Sequence, residues 1–376
     1  MNTTRRGFIA GLAGLLAGCK MPSILNPSGQ VEQSIPLSGV PSNRIIRAYN
    51  RYMNEWDFST GHWADYNDIT EYDRTFRVAL KTLTGKFYMD QAWGELLTYT
   101  PGDKFTIKLN HNNVGVGGDD EALPNTSLAI TRAVVSSLVY DLGVPQENIT
   151  IFDVVRDIPV SWWRGPWADM FPGVEYIHKS TVIWNDTPIT FPNGAVLYMP
   201  QHLVDAQHLI NIPLMKGHGS YLTGGMKNHF GTIERPDWLH IDRQRQIAFL
   251  NSLPDTKDKT RLVIVEAALQ TYTGQADMYT PYQYTDLFPY GKCGSLIMAT
   301  NSFATDNVLA DLINQERAFR GDYLWPNEFL TIAQNEYILG TRETATIVNG
   351  TFSEKDLHYD NFDYNSFDVN VSTGIG

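Results

Sequence analysis

Between residues 104 and 340 the chain alternates short apolar runs with stretches of helical period. Residues 104–109, 148–155, 174–177, 209–213, 261–266 and 295–300 are runs of the length and β-branched content that predict buried strands. Between the first two, Ile130, Val134 and Leu138 recur at helical spacing behind a cap at Asn125-Thr126-Ser127, and Gly143 ends the stretch. Similar patterns predict helices over 237–253, 306–315 and 327–339, the last stopped at Gly340. Strand, loop, helix and strand at this spacing make a βαβ unit, so the expected fold is α/β. It has a mostly parallel, doubly wound sheet with helices on both faces. Upstream, Ser42 and Asn43 predict a cap for a helix carrying Ile45, Ile46, Tyr49, Met53 and Trp56, and a second helix is expected over 71–83. Aromatic-rich inserts interrupt the pattern at Trp162, Trp163 and Trp167 and across 272–291. A single domain over 42–350 with a tail at 351–376 fits best; the alternative is a division into two lobes near residue 180.

The N-terminus breaks this pattern. Thr4-Arg5-Arg6-Gly7-Phe8-Ile9 followed by an apolar run resembles a twin-arginine export signal, and Leu16-Ala17-Gly18-Cys19 resembles a lipobox. Residues 1–19 are therefore expected to be a signal and Cys19 the lipidated residue. Residues 20–41, rich in Pro, Ser and Gly, are expected to tether the domain to the membrane. The expected protein uses the twin-arginine machinery and ends lipid-anchored, facing the periplasm or cell exterior. Once Cys19 carries lipid, Cys293 stands alone, which excludes an intrachain disulfide and a cysteine-ligated iron–sulfur cluster. The formal charge of −12 argues against nucleic acid as a partner.

Within this acidic chain, residues 209–233 form a cationic exception. The apolar run Leu209-Ile210-Asn211-Ile212-Pro213 gives way to Lys216, His218, Thr223, Lys227, Asn228 and His229, spaced by five glycines from Gly217 to Gly231. A strand that opens into a glycine loop is where open α/β sheets place ligands. Lys216 and Lys227 are candidates to bind a small phosphate- or carboxylate-bearing molecule. Thr223, Asn228 and Asn110 are neutral donors to it. His218 is the candidate for proton transfer, with Glu266 as its orienting or second acid–base group. Asp306 is a further carboxylate following a predicted strand. His111, His218 and His229 are candidate ligands for a divalent metal. No Gly-x-Ser-x-Gly elbow is present, which argues against a serine hydrolase.

Asn211-Ile212-Pro213, Lys216, His218, Thr223, Lys227-Asn228 and Gly231 resemble the signature of the bacterial family catalogued as domain of unknown function 362. The resemblance extends from about 104 to 340. It implies ligand-binding roles for Lys108 and Asn110, which stand where the family has Lys-Pro-Asn, and for Asp306, in its late Asp-containing motif. Glu266 and Ala267 replace the family's Asp-Gly, and Asn301 and Ser302 also depart from its pattern. Some members carry a ferredoxin-type cluster domain; the cysteines for one are absent from this sequence. The resemblance brings no reaction with it. The leading expectation is an exported enzyme acting on a small anion. The alternatives are a non-catalytic envelope lipoprotein that binds a ligand or sugar, and a metal-bearing redox protein.

Overall fold

The computed structural model describes residues 39–113, 124–157, 169–218, 221–272, 283–284, 287–347 and 357–370. The signal with Cys19, most of the tether, the glycine loop 115–118, the tryptophans at 162, 163 and 167, most of 272–291 and residues 371–376 lie outside the described residues. Residues 36–376 form one compact unit.

The chain enters through β1 (Arg44–Tyr49), then α1 (Ile69–Thr84) and α2 (Met89–Leu96). β2 (Phe105–Lys108), α3 (Leu128–Tyr140) and β3 (Ile149–Phe152) form the expected βαβ unit, with the Ser127 hydroxyl accepting from the Ile130 amide. β4 (Glu175–Ile177) follows, then a small hairpin of β5 (Ile189–Thr190) and β6 (Val196–Leu197). β7 (His208–Asn211) leads into a second hairpin, β8 (Lys216–His218) and β9 (Tyr221–Thr223). β10 (Thr260–Ala267), β11 (Ser295–Ala299), the helix Ser302–Arg320 and the helix Glu328–Tyr337 come next. A last pair, β12 (Thr346–Ile347) and β13 (Leu357–His358), precedes β14 (Asp363–Asp368).

Eight strands make the main sheet, in the order β14-β1-β11-β10-β7-β2-β3-β4. It is mostly parallel; β11 runs against both its neighbours. Helices cover both faces, and the strands show why. Leu262 and Ile264 of β10 pack with α1, α2 and α3, whereas Val263 and Val265 pack with the Ser302–Arg320 and Glu328–Tyr337 helices. Side chains alternate between the faces of a strand, so a run that is apolar at every position is buried on both. Among the described residues no helix is long and apolar enough to cross a membrane.

Three expectations change. Residues 44–49 form a strand one in from the sheet edge, not a helix, because Ile45 and Ile46 are buried on opposite faces between β14 and β11. The helix expected over 237–253 breaks at Asp242, whose φ of 53° is left-handed, and only Arg243–Leu250 is α-helical before the short turn Pro254–Lys257. The last helix ends at Ile338, itself left-handed, before reaching Gly340.

Candidate functional site

Parallel strands β10, β7, β2 and β3 end at one edge, and the polar residues of the central stretch gather there. Lys108 is the last residue of β2, in register with Asn211 of β7 and Phe152 of β3. Asp153 follows β3 directly, and Asn110 lies two residues beyond the end of β2. The β8–β9 hairpin sets Lys216 opposite Thr223 and His218 opposite Tyr221. A single helical turn, Gly225–Asn228, then presents Lys227 and Asn228.

A helical turn this short does not form by itself, because nucleation costs more than one turn of hydrogen bonds returns. Asp306, buried in the Ser302–Arg320 helix, holds it. Its Oδ1 accepts from the Gly225 amide at 2.5 Å and its Oδ2 from the Met226 amide at 2.9 Å. A Cβ at Gly224 would overlap that carboxylate, so the approach requires glycine there.

The buried polar groups form one network. Lys216 Nζ donates to Asn110 Oδ1 at 2.8 Å, Asn110 Nδ2 to Asn228 Oδ1 at 3.0 Å, and Asn228 Nδ2 to Asn211 Oδ1 at 2.7 Å. Lys108 Nζ donates to the Leu109 carbonyl and, at 3.1 Å, to Asp153 Oδ2. Asp153 also accepts from the amides of His111 at 2.8 Å and Val155 at 3.0 Å. Gly231 lies against this ion pair. A Cβ there would stand 2.5 Å from Lys108 Nζ and 2.9 Å from Asp153 Oδ1.

The network faces a cavity of about 540 Å³. Its floor is buried and includes Asn110, Asp153, Thr223, Lys227 and Asn228. Val154, Phe230 and Trp184 form a wall, and Arg156, Lys179, Arg235 and His240 stand at the rim. Lys216 sits behind Asn110, outside the lining. Lys227 Nζ is 2.9 Å from His218 Nδ1, and among the described residues it has no carboxylate partner. The Thr223 hydroxyl is buried and has no partner among the described residues either.

Burial depresses Lys216, Lys227 and His218, because taking a cation out of water disfavours the charged form. Burial, offset in part by Asp153, holds Lys216 at about 7. Burial, with the charges of Lys216 and Arg243, holds Lys227 well below the ordinary lysine range. Burial and the neighbouring Lys227 and Lys216 push His218 down to about 2. Of the three buried lysines, Lys108 pairs with Asp153 and Lys216 feels its charge, whereas Lys227 does not.

Glu266 does not join His218. In β10 it follows Leu262 and Ile264 in the alternation and points to the opposite face of the sheet. There its Oε1 accepts from the Tyr72 hydroxyl at 2.7 Å and its Oε2 from the Ser127 amide at 2.8 Å, tying α1 and the start of α3 to the sheet. Asp306 is brought close, but both its oxygens are engaged by backbone. The three histidines do not converge. His111 pairs with the Tyr176 hydroxyl at 2.9 Å and the Thr126 carbonyl, His229 with the Thr232 hydroxyl at 3.2 Å, and His218 with Lys227. Among the described residues no group of three or more His, Cys, Asp or Glu is placed to hold a metal ion. Asp153, the carboxylate of the cluster, was not singled out from sequence. It ends a buried strand just as Glu266 does, and that was the available signal.

Fold and site together define an α/β protein whose sheet ends in a buried Lys–Asn–His cluster open to a deep cavity. Residues 173–311 match the family described as domain of unknown function (DUF362). The matched segment carries Lys216, His218, Thr223, Lys227, Asn228 and Asp306; Lys108, Asn110 and Asp153 precede it. No curated protein matches the chain. Among solved structures, the lactate racemase apoprotein from Thermoanaerobacterium thermosaccharolyticum is similar at 8% identity and a TM-score of 0.30. The similarity covers 74% of this chain and only 62% of that one.

Proposed function

We propose that the cavity binds a small phosphate- or carboxylate-bearing anion and that the protein is an enzyme in which Lys227 and His218 exchange a proton with it. The observation that carries this reading is Lys227. It is buried, it lines the cavity, and among the described residues it lacks a carboxylate. A buried cation without a counter-ion is costly, and an anion in the cavity supplies the missing charge. Thr223, with its unpartnered hydroxyl, gives a neutral donor beside it. A lysine that burial holds well below the ordinary lysine range is suited to take a proton and return it. His218 accepts through Nδ1 while releasing the proton on Nε2, and so relays a proton without becoming charged. Its partner is thus Lys227 in place of the expected Glu266. The second reading, a non-catalytic binding lipoprotein, is favoured by the absence of a carboxylate on His218 among the described residues. Binding without turnover over a panel of phosphate esters and carboxylates would select it.

Sulfate, ionised at every pH used, is the first probe. An anion stabilises the ammonium forms, so bound protein holds more protons than free protein between the free and bound pKa values. Titration calorimetry should show proton uptake on binding. Affinity should be highest near pH 6 and fall as pH rises past the free value of about 7 for Lys216. Affinity independent of pH across this window would remove the lysines from the reading.

The twin-arginine and lipobox resemblances support an exported, membrane-anchored protein. Cys19→Ser is expected to move the full-length protein from the membrane to the soluble fraction. An unchanged distribution would count against the anchor.

A further inference from the structure

The proposed anion site accounts for part of the cavity but not for its volume. At about 540 Å³ the cavity is far larger than a lone phosphate or carboxylate group and falls within the roughly 300–1,000 Å³ typical of sites for whole organic ligands. Its lining is also chemically mixed. Val154, Phe230 and Trp184 present apolar and aromatic surface. Arg156 and Lys179 add positive charge. These two are neighbours, since the Lys179 amide donates to the Arg156 carbonyl at 3.2 Å. Arg156 Nε donates to the Asn112 carbonyl at 3.2 Å, which leaves both terminal guanidinium nitrogens without a partner among the described residues. Neither Arg156 nor Lys179 has an ion-pair partner among them. The nearby acids are otherwise placed: Asp157 lies 2.9 Å from His178, and Asp237 lies 3.0 Å from Arg235. Glu234 is the remaining rim carboxylate.

We infer that the ligand is an elongated organic molecule with an anionic group at each end: one on the floor by Lys227 and Thr223, a flat or apolar middle against Phe230 and Trp184, and the second anion between Arg156 and Lys179. The inference rests on the proposed anion site and adds the class of molecule that fills it. The floor confers charge recognition, the wall selects a planar body, and the rim sets length. A guanidinium with both terminal nitrogens open suits a carboxylate or phosphate bound through two oxygens.

Three probes separate these parts: inorganic phosphate, phenyl phosphate and 4-carboxyphenyl phosphate, titrated by calorimetry into the full-length protein. Affinity should rise along the series. The double variant Arg156→Ala/Lys179→Ala should weaken 4-carboxyphenyl phosphate about tenfold, to the level of phenyl phosphate, and leave inorganic phosphate unchanged. Trp184→Ala should weaken both aromatic probes and spare inorganic phosphate. The inference is overturned if 4-carboxyphenyl phosphate binds no better than phenyl phosphate, or if the rim variant weakens all three alike, which would make the rim a diffuse field. The three residues changed are exposed or half-buried, and an unchanged melting curve shows that each variant is folded. Failure of all three probes would instead overturn the anion site itself, and this inference with it.

Discussion

Replacing Lys227 with methionine should abolish sulfate binding and, at the same time, stabilise the ligand-free protein. Methionine matches the length and most of the volume of the lysine stem, so packing against Phe230 is kept. What disappears is a buried amine whose charged form lacks a carboxylate among the described residues. The expected gain is roughly 1–3 kcal/mol at neutral pH. The pH dependence has a definite sign. Burial lowers the folded-state pKa of Lys227 below its unfolded value, so between the two the unfolded chain binds more protons and stability rises with pH. Lys227→Met removes that share of the slope, while Lys216 retains its own above about 7. Urea denaturation at pH 7 and pH 9.5, beside sulfate calorimetry, measures both effects. A variant that is less stable than the parent yet still binds sulfate would make Lys227 a packing residue.

Asp306→Ala should do the reverse and lose both stability and binding. The carboxylate is fully buried and caps the turn that carries Lys227 and Asn228. Its removal leaves the amides of Gly225 and Met226 unsatisfied and opens a small void, an expected cost on the order of 3 kcal/mol. Asp306→Asn keeps one acceptor and should fall between. Thermal melting gives the stability, and sulfate titration of the folded fraction gives the binding. An Ala variant that melts like the parent but no longer binds would place Asp306 in direct contact with the ligand, as the resemblance implied, and would contradict the capping role.

The two carboxylates Glu266 and Asp153 show where reading from sequence stopped. Both terminate apolar runs, and sequence offers no measure of which face a strand end presents until register is known. A one-residue step reverses the face of a strand side chain. In β10 that alternation carries Glu266 to the side of α1 and α3, while Asp153 remains with Lys108 beneath the cavity. Residues 44–49 failed for a related reason. A run buried on both faces has no period-2 signature, and its apolar spacing matches a helix equally well.

Local patterning was enough for most of the scaffold. The βαβ unit, the Ser127 cap, the long apolar strands and the Lys/His/Asn/Gly content of residues 216–231 are all legible from neighbours in the chain, because they depend on backbone preference and on burial of nearby side chains. Contacts between distant segments decided everything that turns this content into a site. Asp306 caps a turn some eighty residues earlier in the chain, Asn110 bridges Lys216 and Asn228, and Asp153 must neutralise lysines from two other segments. The charge state of those lysines follows from shared burial around one cavity, and burial is a property of the packed molecule that no stretch of sequence carries alone.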